Sequence, residues 1–154
     1  MGGTLIVDGA NVMGSRADGW WRDRAGAMAR LHGELAVLAT SGIPGPLPGQ
    51  PEGGEPEGGE PEGGGAGGPA AGGRWFPDIV LVVEGRACAV LDLVSPAAGV
   101  RIVPARGEGD DAIAGLAEQL PGQRVVITAD RELRRRCEAA GAVVTGPRWL
   151  TGLL

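Results

Sequence analysis

Acidic residues recur at one kind of position in this chain, directly after short apolar runs. Asp8 closes Thr4–Leu5–Ile6–Val7, and Glu84 follows Ile79–Val80–Leu81–Val82–Val83. Glu108, Asp110 and Asp111 come soon after Val100–Arg101–Ile102–Val103, and Asp130 comes after Arg124–Val125–Val126–Ile127–Thr128. Open α/β sheets bind ligands outside the carboxyl ends of their strands. If these runs are parallel strands of one sheet, their acids share an edge. Carboxylates crowded together repel, and their pKa values rise unless a cation neutralises them. Oxygen donors without His or Cys select Mg²⁺ or Mn²⁺, which leave positions open for water and phosphate oxygens. The chemistry this supports is metal-assisted hydrolysis of a phosphodiester. Each acid also has a plainer role open to it. Asp110, Asp111 and Asp130 stand at helix starts, where Asp is a favoured N-cap. Asp8 and Asn11 suit a turn after a strand, and Glu84 suits a solvated loop. Capping does not explain an acid after nearly every strand on one edge.

The elements that must position these acids are legible in the apolar pattern. The runs at 4–8, 79–83, 100–103, 124–128 and 142–144 are continuous and β-branched, as expected of strands buried on both faces. Between them, Met28, Leu31, Leu35 and Leu38 mark one face of a helix over about residues 22–40. Ile113, Leu116, Ala117 and Leu120 mark a second helix from Asp110, and residues 131–140 form a third. Pro147 opens a last short helical turn, since the first helical position has no use for the missing N–H. The segment Asp8–Gly9–Ala10–Asn11 reads as a loop, and residues 87–93 as either helix or strand. Strands alternating with amphipathic helices predict a doubly wound α/β fold with a parallel sheet covered on both faces.

Composition separates the body from one interruption. The chain has 154 residues, 30 of them Gly and 12 Pro, and residues 42–73 hold 14 of the glycines and seven of the prolines. That stretch repeats PEGGE and carries five Glu without a basic residue, so the net charge of −5 belongs to it. A Pro-Glu-Gly repeat cannot bury apolar area and is expected to be a flexible, solvated insert within a single domain spanning 1–154. All 14 basic residues are Arg. The lack of Lys excludes a P-loop NTPase and Schiff-base chemistry, and a single His (His32) excludes His-rich zinc sites. His32 is expected to be exposed or partly packed. Two distant cysteines, Cys88 and Cys137, suit small core positions and a reduced compartment. No apolar run is long enough for a bilayer, so the expectation is a cytoplasmic protein with no membrane partner.

Three motifs carry a resemblance. VDGANVMG at 7–14 with WWRDRAGAMARL at 20–31, GEGDDAIAGLA at 107–117, and VITADRELRRRCEAAGA at 126–142 resemble, in this order and spacing, the NYN family of PIN-like ribonucleases. The resemblance covers the body and skips the insert. It implies a three-layer α/β/α domain with sheet order 3-2-1-4-5, and an endoribonuclease dependent on Mg²⁺ or Mn²⁺. It implies Asp8, Asp111 and Asp130 as metal-binding acids and Asn11 as the residue orienting water or substrate phosphate. Thr128 is implied as a supporting hydroxyl. Glu84 stands where relatives tend to carry Asp, and Glu84, Glu108 and Asp110 are further candidate ligands. The expected partner is single-stranded RNA, and a homodimer stays open. Trp20, Arg22 and Arg24 could stack bases and hold phosphates, although one of Trp20 and Trp21 is expected to pack the first helix against the sheet. The Arg131, Arg134, Arg135 and Arg136 run is expected to be a solvated helix face. Two other functions could use the same residues: a nucleotide pyrophosphohydrolase or phosphatase, and a non-catalytic RNA-binding module.

Overall fold

The computed structural model describes residues 3–16, 19–45, 47–48, 74–92, 94, 99–105 and 109–154. The repeats of the insert and Glu108 lie outside them. Five parallel strands form the sheet: β1 (Thr4–Asp8), β4 (Asp78–Val83), β5 (Val100–Pro104), β6 (Arg124–Ile127) and β7 (Val143–Thr145). Their spatial order is β5-β4-β1-β6-β7, which is the expected 3-2-1-4-5 when these five strands alone are counted.

The period-two alternation of each strand feeds two separate cores. Leu5, Val7, Ile79, Leu81, Val125 and Ile127 face α2 (Arg24–Ser41), burying it through Met28, Leu31, Leu35 and Leu38. Ile6, Val80, Val82 and Val126 face the opposite layer, α3 (Gly109–Gln119) and α4 (Arg131–Ala139), meeting Ile113, Ala117, Leu133 and Cys137. Burial of Cys137 pushes its thiol up to about 11, so it behaves as a small apolar side chain. His32 departs from expectation: it is 5% exposed, on the inner side of α2, where burial lowers its pKa.

The segment expected to be a loop after β1 is instead a helix, α1 (Gly9–Gly14), and Asp8 is its N-cap. Six residues are too few to show a helical period. What admits α1 is Gly9, where a Cβ would stand 2.6 Å from the Val82 carbonyl oxygen and 2.9 Å from Met28 Cε. Gly9→Ala is therefore expected to destabilise the fold by about 1–3 kcal/mol, the range for overpacking a core. The shift in a urea midpoint measures it.

Of the other open segment, residues 87–92 belong to a 3-10 run, Gly85–Asp92, packed on α2, and residue 93 lies outside the described residues. A second, two-stranded antiparallel sheet pairs β2 (Ile43–Pro44) with β3 (Arg74–Trp75). Ile43 and Leu47, inside the stretch assigned to the insert by composition, are buried with Trp75. The pairing sets the two ends of the intervening chain side by side. Loop closure changes by only about 0.6 kcal/mol per doubling of length. Replacing residues 49–73 with a short Gly-Ser link should therefore leave the melting temperature unchanged or slightly raised. Among the described residues, no helix is long and apolar enough to cross a membrane.

Candidate active site

Asp8 ends β1 in register with Val82 of β4, at the carboxyl edge of the central strand. Its side chain is in phase with Ile6, toward the layer of α3 and α4. It is 5% exposed, an unusual degree of burial for a carboxylate. Three donors hold it. Asn11 contributes its backbone N–H to Oδ1 at 3.3 Å and its side-chain amide to Oδ2 at 2.9 Å. The Thr128 hydroxyl, from the loop after β6, donates to Oδ2 at 2.9 Å. Asn11 is itself fixed, because its Oδ1 accepts the Ala129 N–H at 3.0 Å. Thr128 Oγ1 in turn accepts the Asp130 N–H at 3.2 Å, so the loop after β6 is laced to the end of β1.

Asp130 caps α4: its Oδ1 accepts the Glu132 and Leu133 N–H groups at 2.9 and 3.0 Å. The capping expectation holds for Asp130 and does not exhaust it, since Oδ2 accepts no hydrogen bond among the described residues. Glu84 Oε2 accepts the Gly109 N–H, tying the end of β4 to the start of α3. A Cβ at Gly109 would come within 2.9 Å of that oxygen, the movable end of the Glu84 side chain. Asp111 lies on the exposed side of α3, with its carboxylate 3.1 Å from Arg136 of α4. Asp110 lies in the first turn of α3 and is half-buried. The structure thus brings Asp8, Asn11 and Thr128 into direct contact, sets Asp130 beside them in the same loop, and turns Asp111 toward Arg136.

Burial raises the pKa of Asp8 above 3.8, and the charge of Glu84 adds to the rise. The bonds from Thr128 and Asn11 only partly offset it. Without a cation, the folded state holds the Asp8 proton more tightly than the unfolded chain does. Stability from this group then falls as pH rises from 3.8 through the raised folded value, and the deficit persists above it. In EDTA, Asp8→Asn should flatten the decline of melting temperature above about pH 4. Parallel profiles for the variant and wild type would contradict burial as the dominant cause.

Oxygen donors alone, one of them a desolvated anion beside a second carboxylate, fit a hard dication. Among the described residues no three His, Cys, Asp or Glu side chains form a ready metal cage. Mg²⁺ does not require one, since one or two carboxylates with water and phosphate oxygens commonly suffice.

On the Glu84 side of α1 lies a cleft of about 320 Å³ lined by Trp20, Arg24, Met28 and Glu84. Trp20 is partly buried against the core, whereas Trp21 is 57% exposed and meets it edge to face at 6.0 Å. Arg24 stands over the Trp20 ring at 5.6 Å and Arg22 over the Trp21 ring at 6.0 Å. One tryptophan therefore packs, as expected, and the other presents a ring to solvent.

No family model and no curated protein matches the sequence. Among solved structures, the fold is similar to that of Rae1 (YacP) from Bacillus subtilis, in the crystal structure of a point mutant. The TM-score is 0.62 at 15% identity, over 98% of this chain and 74% of that one. The two proteins share a fold. Two features of the site had no sequence signal of their own: the Thr128–Asp8 bond, between residues 120 apart, and the Glu84–Gly109 tie. The acids themselves were visible from their place after each strand.

Proposed function

We propose that this chain is a divalent-metal-dependent endoribonuclease that hydrolyses phosphodiester bonds in single-stranded RNA. One observation carries the proposal: a carboxylate, Asp8, is buried at the carboxyl edge and held there by Asn11 and Thr128, despite a raised pKa. Its ionisation opposes stability in the empty protein, and functional sites are where such perturbed groups concentrate. The resemblance of the three motifs to NYN ribonucleases supplies the reaction class.

Asp8, Asp130 and Glu84 would hold Mg²⁺ or Mn²⁺, Asp130 through Oδ2 and Glu84 through Oε1, the oxygens not used in the bonds described above, and Asp8 through Oδ1, which accepts a single bond. Asp111, implied as a ligand by the resemblance, would join them by giving up Arg136, an exposed pair of the kind that contributes little to stability. Once bound, the ion supplies a water of lowered pKa and positive charge against the phosphate oxygens. Asn11 and Thr128 fix the orientation of the Asp8 carboxylate through their three hydrogen bonds to it. Trp20, Arg22 and Arg24 flank that edge and suit an unpaired base and its phosphates.

Incubating the protein with end-labelled single-stranded RNA and with nucleoside triphosphates, each with Mn²⁺ or EDTA, tests the proposal. The expected result is internal RNA cleavage with Mn²⁺ only. Hydrolysis confined to the triphosphates would favour a pyrophosphohydrolase. Metal-independent RNA binding without cleavage would favour a binding module.

A further inference from the structure

α1 divides the carboxyl edge, and its other flank carries a second, larger cleft of about 610 Å³ between α1 and α5 (Pro147–Thr151). Asn11, Gly14 and Ser15 form one wall, and Gly146, Pro147 and Arg148 the other. We propose that this cleft is a nucleotide subsite, taking the sugar–phosphate next to the scissile bond of single-stranded RNA, with Arg148 on its phosphate and no reading of the base. The proposal rests on the reading that this edge binds RNA.

Three independent features support it. Asn11 belongs both to the cleft wall and to the cradle of Asp8, so a strand lying in the cleft abuts the site. Next, the glycines of the walls have no packing reason to be glycine. A Cβ at Gly146 would meet nothing within 4 Å, and one at Gly14 would meet only the Trp20 ring, at 4.0 Å. Neither has a positive φ. This contrasts with Gly9, whose Cβ would stand 2.6 Å from the Val82 carbonyl oxygen, and the lack of side chains at Gly14 and Gly146 leaves both walls of the cleft low. Finally, Arg148 is exposed, and its guanidinium makes no hydrogen bond or ion pair among the described residues. Arg134 and Arg136, by contrast, are paired. The turn bearing Arg148 is anchored on both sides by buried Pro147 and Leu150, with Trp149 packed on the core, so its backbone is fixed. Backbone contact by one guanidinium fits sequence-independent recognition of a phosphate.

The test reads binding by fluorescence anisotropy of a short labelled oligouridine, in EDTA so that no hydrolysis intervenes. Arg148→Ala should weaken binding several-fold and reduce the slope of log Kd against log salt by about one. Gly146→Leu should weaken it comparably while leaving the melting temperature unchanged, which separates a filled cleft from a damaged fold. Arg135→Ala, on the outer face of α4, should do neither. Wild-type affinity in both cleft variants, an equal loss in Arg135→Ala, or no binding by the wild type would overturn the subsite. Expected losses in a protein that cleaves no RNA with Mn²⁺ would leave the cleft standing as a nucleotide-binding site and remove the hydrolase. Cleavage with unaffected variants would do the reverse.

Discussion

Asp8→Asn is expected to abolish Mn²⁺-dependent cleavage of single-stranded RNA while leaving the circular dichroism spectrum unchanged. The amide is nearly isosteric, and its one carbonyl oxygen can stand in for Oδ1 and accept the Asn11 backbone N–H, so α1 keeps a cap, while its NH2 replaces the oxygen that accepts from Thr128 and the Asn11 amide. What it loses is the charge that makes Asp8 a ligand. Thr128→Val provides the scale. Thr128 only orients the carboxylate, and removing such a supporting group typically reduces metal affinity or activity by roughly 10–100-fold. Asp8→Asn should fall well below that level. Labelled-RNA assays on the two variants at matched protein concentration check the ordering, and equal losses would show that Asp8 does no more than its cradle.

The second large effect is thermal. A ligand bound only by the folded state stabilises by RT ln(1 + [L]/Kd), about 2.7 kcal/mol at a hundredfold excess over Kd. For a domain of this size that raises the melting temperature by on the order of 5 °C. Relief of the Asp8–Glu84 repulsion is part of that gain. Mn²⁺ should therefore raise the wild-type melting temperature and leave that of Asp8→Asn close to its EDTA value. Asp111→Asn should shrink the rise less than Asp8→Asn does, because Asp111 must first leave Arg136. Asp110→Asn should leave the rise largely intact, since Asp110 lies within the first turn of α3 rather than at its cap and is not among the acids placed around the ion. Melts in EDTA and in millimolar Mn²⁺ on all four proteins decide these orderings.

The parallel sheet was legible because strands covered on both faces must be continuously apolar, and the runs at 79–83 and 124–128 have little other use. α2 showed itself through Met28, Leu31, Leu35 and Leu38, all of which are buried. α1 did not, because Asp-Gly-Ala-Asn has turn chemistry and the helix it opens is shorter than two periods. Its existence depends on tertiary contacts, the approach of Gly9 to Val82 above all. Ile43, Leu47 and Trp75 were hidden for a different reason: they are apolar residues at the borders of a Pro- and Gly-rich stretch, where composition masks a two-residue pairing. His32 followed the face of α2 into the interior against its polarity. At the site, the positions of Asp8, Glu84 and Asp130 after their strands were legible, since a parallel sheet sends every strand's end to one edge. The division of labour among the acids was legible only in part. The cap at Asp130 was legible from its place before α4, but that Glu84 holds Gly109 and that Asp111 meets Arg136 are facts of side-chain direction, which strand order does not encode.

The central claim is that Asp8 anchors a divalent cation at the carboxyl edge of the sheet. Titrating Mn²⁺ into the protein while following free Mn²⁺ by electron paramagnetic resonance tests it most directly, with no dependence on which RNA is chosen. The expected result is saturable depletion of the free-ion signal by the wild type and little depletion by Asp8→Asn. Equal binding by both proteins, or no binding by the wild type at millimolar Mn²⁺, would contradict it.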